Sequence, residues 1–419
     1  MIKRALYLTL FLLPLLMGFA GDSPIRWEMI LEKQTGFLEG KEFSTRGITG
    51  KGIRIAVIDA GFKGADSHPG LAHLFANNRI AGTWDFVRNQ ENVFNGNPHG
   101  TAVLSCIAGI WDGKPCGLAP DATFLLARTE VSGEPKKEEV NWAKAVEWAI
   151  KNGADIIQSS IGYTYHRYFQ EELTGRYSIA AQAAIKAART GVLLVNSAGN
   201  DGSSRWQTVD TPADADSILS VGAIDPQSGI AAGFSSKGPT ADGRMKPNVC
   251  APGTVCAFTP NGKSKIMGGT SFAAPLISGF AACLMQLMPH ASAQDILHAI
   301  EQSGHLYPYY DYSHGFGVPQ ASHFFQNQTK TKQQGNCCLV IDTTDQSFQV
   351  TTEGPCQETE KSEWSTYIYY HISDSSGMLR MYGVKEFIPL IRNNISRAAF
   401  QKGDLLRVFS NGYTAEWKE

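Results

Sequence analysis

The chain has 419 residues, 43% hydrophobic and 18% charged, which excludes a disordered protein and allows one large domain with a smaller one beside it. Its 37 Lys and Arg against 39 Asp and Glu leave a formal charge of -2. Neither nucleic acid nor an anionic membrane is therefore expected as the main partner.

Lys3 and Arg4 precede an apolar run from Ala5 to Met17, and Gly18 and Ala20 follow, a pattern that predicts a signal peptide over residues 1–20, cleaved after Ala20. The run is short for a span of about 20 residues and is interrupted by Pro14, so an uncleaved anchor is the lesser alternative. A secreted or periplasmic protein, detached from the membrane after cleavage, is expected. Disulfides are permitted there, and Cys106 with Cys116, Cys250 with Cys256, and Cys338 with Cys356 are candidate pairs. Cys283 lies in an apolar helical stretch and reads as a buried thiol. No C-x-x-C clusters are present and vicinal Cys337 and Cys338 suit no single ion, so no metal-ligand set is assigned.

Residues 21–49 place Trp27, Met29, Ile30, Leu31, Phe37 and Leu38 among charges without clear periodicity and suggest an arm over the main domain. From Gly52 the run I-R-I-A-V-I predicts a central parallel strand, and it stops at Asp59. A carboxylate at the end of such a strand either caps a turn or faces a ligand at the sheet edge. N-P-H-G-T-A-V-L-S-C-I-A-G, residues 97–109, puts His99 at the mouth of an apolar helix. A-T-F-L-L-A-R reads as another buried strand. Asn141 to Asn152 has helical spacing of Trp142, Val146, Ala149 and Ile150, and Ala154 to Ile161 is the next strand, ending in Ser160-Ile161-Gly162.

Ile179 to Thr190 is an alanine-rich helix, V-L-L-V-N a strand, and S-A-G-N-D-G then sets Asn200 in a glycine-flanked turn, where it is either a turn residue or an amide donor. T-P-A-D-A-D-S-I-L-S-V-G-A supplies a further strand. Gly268 to Pro275, G-G-T-S-F-A-A-P, places Ser271 between a glycine turn and a long apolar helix, where a hydroxyl is either a cap or a nucleophile facing backbone N–H groups. Ser292 caps a helix through Ile300, and G-F-G-V at 315–318 closes the domain. Residues 323–335 are polar and read as a linker. From 336 to 419 short apolar runs (C-L-V-I, S-F-Q-V, T-Y-I-Y-Y-H-I, L-L-R-V-F) alternate with turn residues, predicting a small antiparallel β domain. The alternation over 53–303 predicts an α/β fold, a mostly parallel sheet with helices on both faces.

V-I-D-A-G, H-G-T, A-G-N and G-T-S-x-x-A-P, in that order, resemble the motifs of the subtilisin-like serine peptidases, the subtilases. The resemblance covers roughly residues 50–322 and does not reach the C-terminal region. It implies a secreted serine endopeptidase in which Ser271 is the nucleophile, His99 the general base, Asp59 its orienting carboxylate and Asn200 an oxyanion donor, acting on protein or peptide substrates without a required cofactor. It further implies that Ser160, Ile161 and Gly162 pair with substrate backbone as an added strand. Tyr163 stands where a second glycine is frequent, which would narrow the cleft. Asp210 would lie near the floor of the pocket for the residue before the scissile bond, where it is either a recognition group for Lys or Arg or a solvated loop residue. Backbone carbonyls around Ala213 to Ile218 could hold a structural calcium ion, as in some relatives, although no acidic calcium loop accompanies them. Residues 21–49 are short for the inhibitory prodomain that subtilases commonly carry. The rival expectation is an inactive protein of this fold that binds a ligand through its β domain.

Overall fold

The computed structural model describes residues 24–131, 136–165, 167–325, 338–353, 367–377, 379–388 and 392–419. The expected signal peptide, residues 326–335 of the expected linker, Cys337 and Cys356 lie outside the described residues.

Seven strands form one sheet in the order Ile80–Asp85, Thr123–Arg128, Arg54–Asp59, Ile156–Ser159, Leu193–Ser197, Leu219–Ile224, Val249–Pro252. Every neighbouring pair is parallel. Side chains alternate across this sheet, and the alternation divides the core. Ala56, Ile58, Leu125, Ala127 and Leu194 pack with Trp142, Val146, Ala180 and Ala184 from helices Lys136–Lys151 and Ile179–Arg189. Ile55, Val57, Phe124, Leu126 and Val195 face the other way, toward helices His99–Ala108, Thr270–Leu287 and Ala293–Gln302. Thr270–Leu287 is long and apolar enough to cross a membrane, but 78% of it is buried inside the domain.

Three elements had no clear sequence signature. The edge strand Ile80–Asp85 is mostly half-exposed, so I-A-G-T-W-D carries no continuous apolar run. Residues of the N-terminal arm form helices Pro24–Gly36 and Gly40–Ser44, and Ile30, Leu31, Leu38 and Phe43 sink into the core beside the Thr270–Leu287 helix. The Phe43 ring lies 5.1 Å from that of Phe280 in edge contact. Buried Gln34 reaches from the arm to accept the Cys256 N–H and donate to the Cys116 carbonyl. Each such apolar side chain stabilises by about 1.5–3 kcal/mol, so the arm is a structural part of the sheet's cover.

The cysteine expectations need correction, because Cys106, Cys116, Cys250, Cys256 and Cys283 are all buried thiols. Neither Cys106 with Cys116 nor Cys250 with Cys256 is bridged. Cys250 and Cys256 turn to different partners, the carbonyls of Ser313 at 3.4 Å and Trp27 at 3.3 Å.

Beyond residue 337 the chain forms a three-stranded sheet, Cys338–Thr343, Ser347–Glu353 and Asn393–Ser396, and a four-stranded sheet, Leu379–Glu386, Tyr367–Ser373, Leu405–Ser410 and Tyr413–Lys418. Both are antiparallel and share a core that includes Phe348, Val350, Ile368, Ile372 and Leu406. Leu306 and Tyr309 of the α/β domain pack against Tyr369 and Phe409 of this region, with the Tyr309 and Phe409 rings stacked at 5.7 Å.

Candidate active site

The parallel register aligns the carboxyl ends of three adjacent strands, pairing Ile58 with Ser159 and Ser159 with Asn196. Asp59, Ser160 and the turn from Ser197 to Asn200 therefore meet at one edge of the sheet, where open α/β folds place their ligands.

Asp59 is fully buried. Its Oδ1 and Oδ2 lie 2.9 and 3.0 Å from His99 Nδ1, and Oδ1 also accepts the Ala60 N–H at 2.7 Å. His99 begins the helix His99–Ala108, and its own N–H is held by Asn97 Oδ1. The next residue must be glycine: a Cβ on Gly100 would lie 2.7 Å from the Gly61 carbonyl. That close approach brings the helix start against the end of the Asp59 strand. With Nδ1–H donating to the carboxylate, Nε2 is the nitrogen left to accept a proton. Burial alone would lower the His99 pKa, but the charge and hydrogen bonds of Asp59 outweigh it and raise the value. The imidazole is still 31% exposed.

Ser271 sits in the first turn of Thr270–Leu287, and the ring of its neighbour Phe272 lies 5.7 Å from that of His99. Pro275 within the helix has no N–H to donate back to the Ser271 carbonyl. The Ser160 hydroxyl takes that place, donating to the Ser271 carbonyl at 2.9 Å. Ser160 Oγ in turn accepts from Gln158, whose other amide atom accepts from Ser278 of the same helix. The strand end and the serine turn are thus locked together.

Asn200 Oδ1 accepts from the Thr270 backbone N–H at 2.9 Å and the Thr270 hydroxyl at 3.1 Å. These bonds fix the amide so that its NH₂ group points away from Thr270. A cavity of about 340 Å³ is lined by Ser271, Asn200, Ser160, Ile161, Gly162 and Asp210, together with Glu130, Glu138 and Asp201. Asp210 is only 5% exposed and is pressed between two glycines, since a Cβ on Gly162 or Gly199 would come within 2.4 Å of its carboxyl group.

The chain positions expected to form the site therefore converge, in two groups joined by Phe272: Asp59 with His99, and Ser271 with Asn200, Ser160, Ile161, Gly162 and Asp210. Tyr163 departs from expectation. It is 1% exposed and packs in the core under Arg167, 4.0 Å from the guanidinium, so it does not narrow the cleft. Thr270 and Gln158, which orient Asn200 and Ser160, and Glu130 and Glu138 in the cavity wall were not foreseen. Only Thr270 had a local signal, as the middle residue of G-T-S.

Two of the carbonyls considered for a calcium ion are already engaged by cationic side chains. The Asp214 carbonyl accepts from Arg244 Nη1 and the Ile218 carbonyl from Lys246 Nζ, each at 2.9 Å.

A sequence model of the subtilase family matches residues 50–335. The chain is 32% identical over 270 residues to the thermostable alkaline protease of Halalkalibacterium halodurans, covering 64% of this chain and 66% of that protein. It is 30% identical over 263 residues to subtilisin DY of Bacillus licheniformis, covering 62% and 86%. The fold resembles the crystal structure of MycP1 with the N-terminal propeptide removed, with a TM-score of 0.55 and 24% identity over 69% of this chain and 94% of that one. The chain belongs to the subtilase family of serine-type endopeptidases.

Proposed function

We propose that this chain is exported through residues 1–20 and cleaves peptide bonds with Ser271 as nucleophile. His99 Nε2 takes the serine proton and returns it to the leaving amine, while Asp59 holds the imidazole in the required tautomer and stabilises its charged form. The Asn200 side-chain NH₂ and the Ser271 backbone N–H donate to the oxyanion of the tetrahedral intermediate. The observation that carries this reading is the convergence at one sheet edge of a buried carboxylate bonded to the inner nitrogen of a half-exposed histidine and a helix-start serine sharing a cavity with an oriented amide.

The substrate class is a protein or peptide. Asn196 draws the Ile161 carbonyl inward at 2.9 Å, which by the alternation of an extended chain leaves Ser160 and Gly162 as the residues facing an added strand. Asp210 in the cavity wall supports a preference for Lys or Arg before the scissile bond. Hydrolysis of casein and of a peptide library, measured for wild type and Ser271→Ala, tests both parts. Activity that survives Ser271→Ala sinks the mechanism, and a cleavage profile without basic residues sinks the role of Asp210. The inactive-protein reading requires folded, mature wild type to hydrolyse nothing.

A further inference from the structure

Relatives of this fold often carry structural calcium, and in this chain the stretch that offers backbone oxygens, residues 213–218, is engaged by side chains from a single neighbouring segment. Lys246 is 2% exposed, and its Nζ donates to the Ile218 carbonyl at 2.9 Å and to Asn248 Oδ1 at 3.0 Å. Asn248 Oδ1 also accepts the Ser220 N–H, and its amide nitrogen donates to Glu301. Arg244, two residues earlier, donates from Nη1 to the Asp214 carbonyl at 2.9 Å and from Nε to Asp242 at 2.8 Å, with Asp216 3.8 Å away. A backbone oxygen already bonded to a cationic donor is a poor ligand for a hard cation, which takes six to eight oxygens. The arginine adds a permanent positive charge at the same place.

We propose that Lys246 and Arg244 are a built-in replacement for a structural calcium ion, tying down the Asp214 and Ile218 carbonyls with the chain's own N–H donors so that the 213–218 stretch is ordered without metal. The replacement does not depend on the lysine staying charged. Burial, helped by the nearby Arg244 charge, pushes its pKa down to about 7, and a neutral amine still donates to Ile218 and Asn248. Nor does it depend on the peptidase reading, since it concerns how the loop beside Asp210 is held.

The experiment uses Ser271→Ala as parent, to remove self-digestion, and reads thermal unfolding in EDTA and in millimolar CaCl₂. Lys246→Met keeps the stem and removes the donors, and its melting temperature in EDTA is expected to fall by several degrees. Arg244→Ala releases the Asp214 carbonyl among the carboxylates of Asp214, Asp216 and Asp242. Calcium is therefore expected to raise its melting temperature by more than it raises the parent's, a gain that simple loss of packing does not produce. Lys246→Met as stable as the parent, or Arg244→Ala no more calcium-responsive than the parent, overturns the proposal. If Lys246→Met does not fold, the calcium response of Arg244→Ala decides alone.

Discussion

Among the described residues two Asp–His pairs have nearly the same geometry, and one belongs to the candidate active site. Asp59 meets His99 Nδ1 at 2.9 and 3.0 Å. Asp311 meets His314 Nδ1 at 3.1 and 3.0 Å, and its carboxylate also accepts the N–H groups of Ser313 and His314. The difference lies at the far nitrogen. His314 is 1% exposed and its Nε2 accepts the Ala231 N–H at 2.7 Å, so both nitrogens are committed to structure. Its ring stands edge-on to Tyr369 at 5.4 Å, under the C-terminal β domain. His99 is 31% exposed and packs beside Phe272, next to the serine. The His314 ring thus has no nitrogen left for a base, whereas the His99 ring keeps an exposed edge.

Substitution should separate the two pairs most sharply at the chemical step. Ser271→Ala and His99→Ala are each expected to lower kcat by about 10⁶-fold, the size seen for the corresponding residues of subtilisin. Asp59→Asn should cost about 10⁴-fold in kcat, through loss of the correct tautomer. Asp311→Asn should leave kcat within a few-fold of wild type and instead lower stability by about 3–5 kcal/mol, as for a buried pair losing one partner. Equal kcat losses in Asp59→Asn and Asp311→Asn, measured on folded protein, would break the comparison.

Asn200→Ala should lower kcat about 10²–10³-fold with little change in KM, the magnitude found for one oxyanion donor in subtilisin. Thr270→Val, which removes one of the two donors to Asn200 Oδ1 and keeps the backbone N–H, should give a smaller loss in the same direction. A KM effect without a kcat effect would mean that Asn200 binds substrate instead.

The smallest of these effects is on pH dependence. The raised His99 pKa means that kcat/KM should fall as pH drops through a value above that of ordinary imidazole, about tenfold per unit. The stability contribution of the Asp59–His99 pair runs the other way, complete below the unfolded histidine pKa and lost as pH rises through the folded one. For Asp311, burial alone would raise the pKa, but the hydrogen bonds it accepts from His314 Nδ1 and from the Ser313 and His314 backbone N–H groups hold it below the usual carboxylate value. Its contribution is present above the unfolded carboxylate pKa and is lost as pH falls through the folded one. Activity should therefore fail reversibly on mild acidification, before the Asp311 pair gives way. An acid limb of activity that coincides with unfolding contradicts this order.

Legibility in the sequence followed the same physics. Strands buried on both faces, such as Arg54–Asp59 and Leu193–Ser197, announce themselves as unbroken apolar runs, and each ends at a chemically distinct residue or turn. The half-exposed strand Ile80–Asp85 and the helix Pro24–Gly36 lack that signal, because their burial depends on partners remote in sequence. The helix Lys136–Lys151 starts ahead of the apolar positions from Trp142 on, since its first turn, K-K-E-E, has no apolar period. Spacing overestimated the cysteines: a short loop between Cys106 and Cys116 permits a bridge without requiring one. The support shell of the site was harder to read because its contacts join segments remote in sequence, Thr270 with Asn200 and Gln158 with Ser278, and of the supporting residues Thr270 alone lay inside a motif.

The central claim is that Ser271, and no other hydroxyl, is the nucleophile activated through His99 and Asp59. Its most direct test is labelling folded protein with a fluorophosphonate and locating the adduct by peptide mass spectrometry. One adduct per chain on Ser271, slowed in Asp59→Asn and unaffected in Asp311→Asn, is the predicted result. No adduct on folded wild type, or an adduct on another residue, would contradict the account.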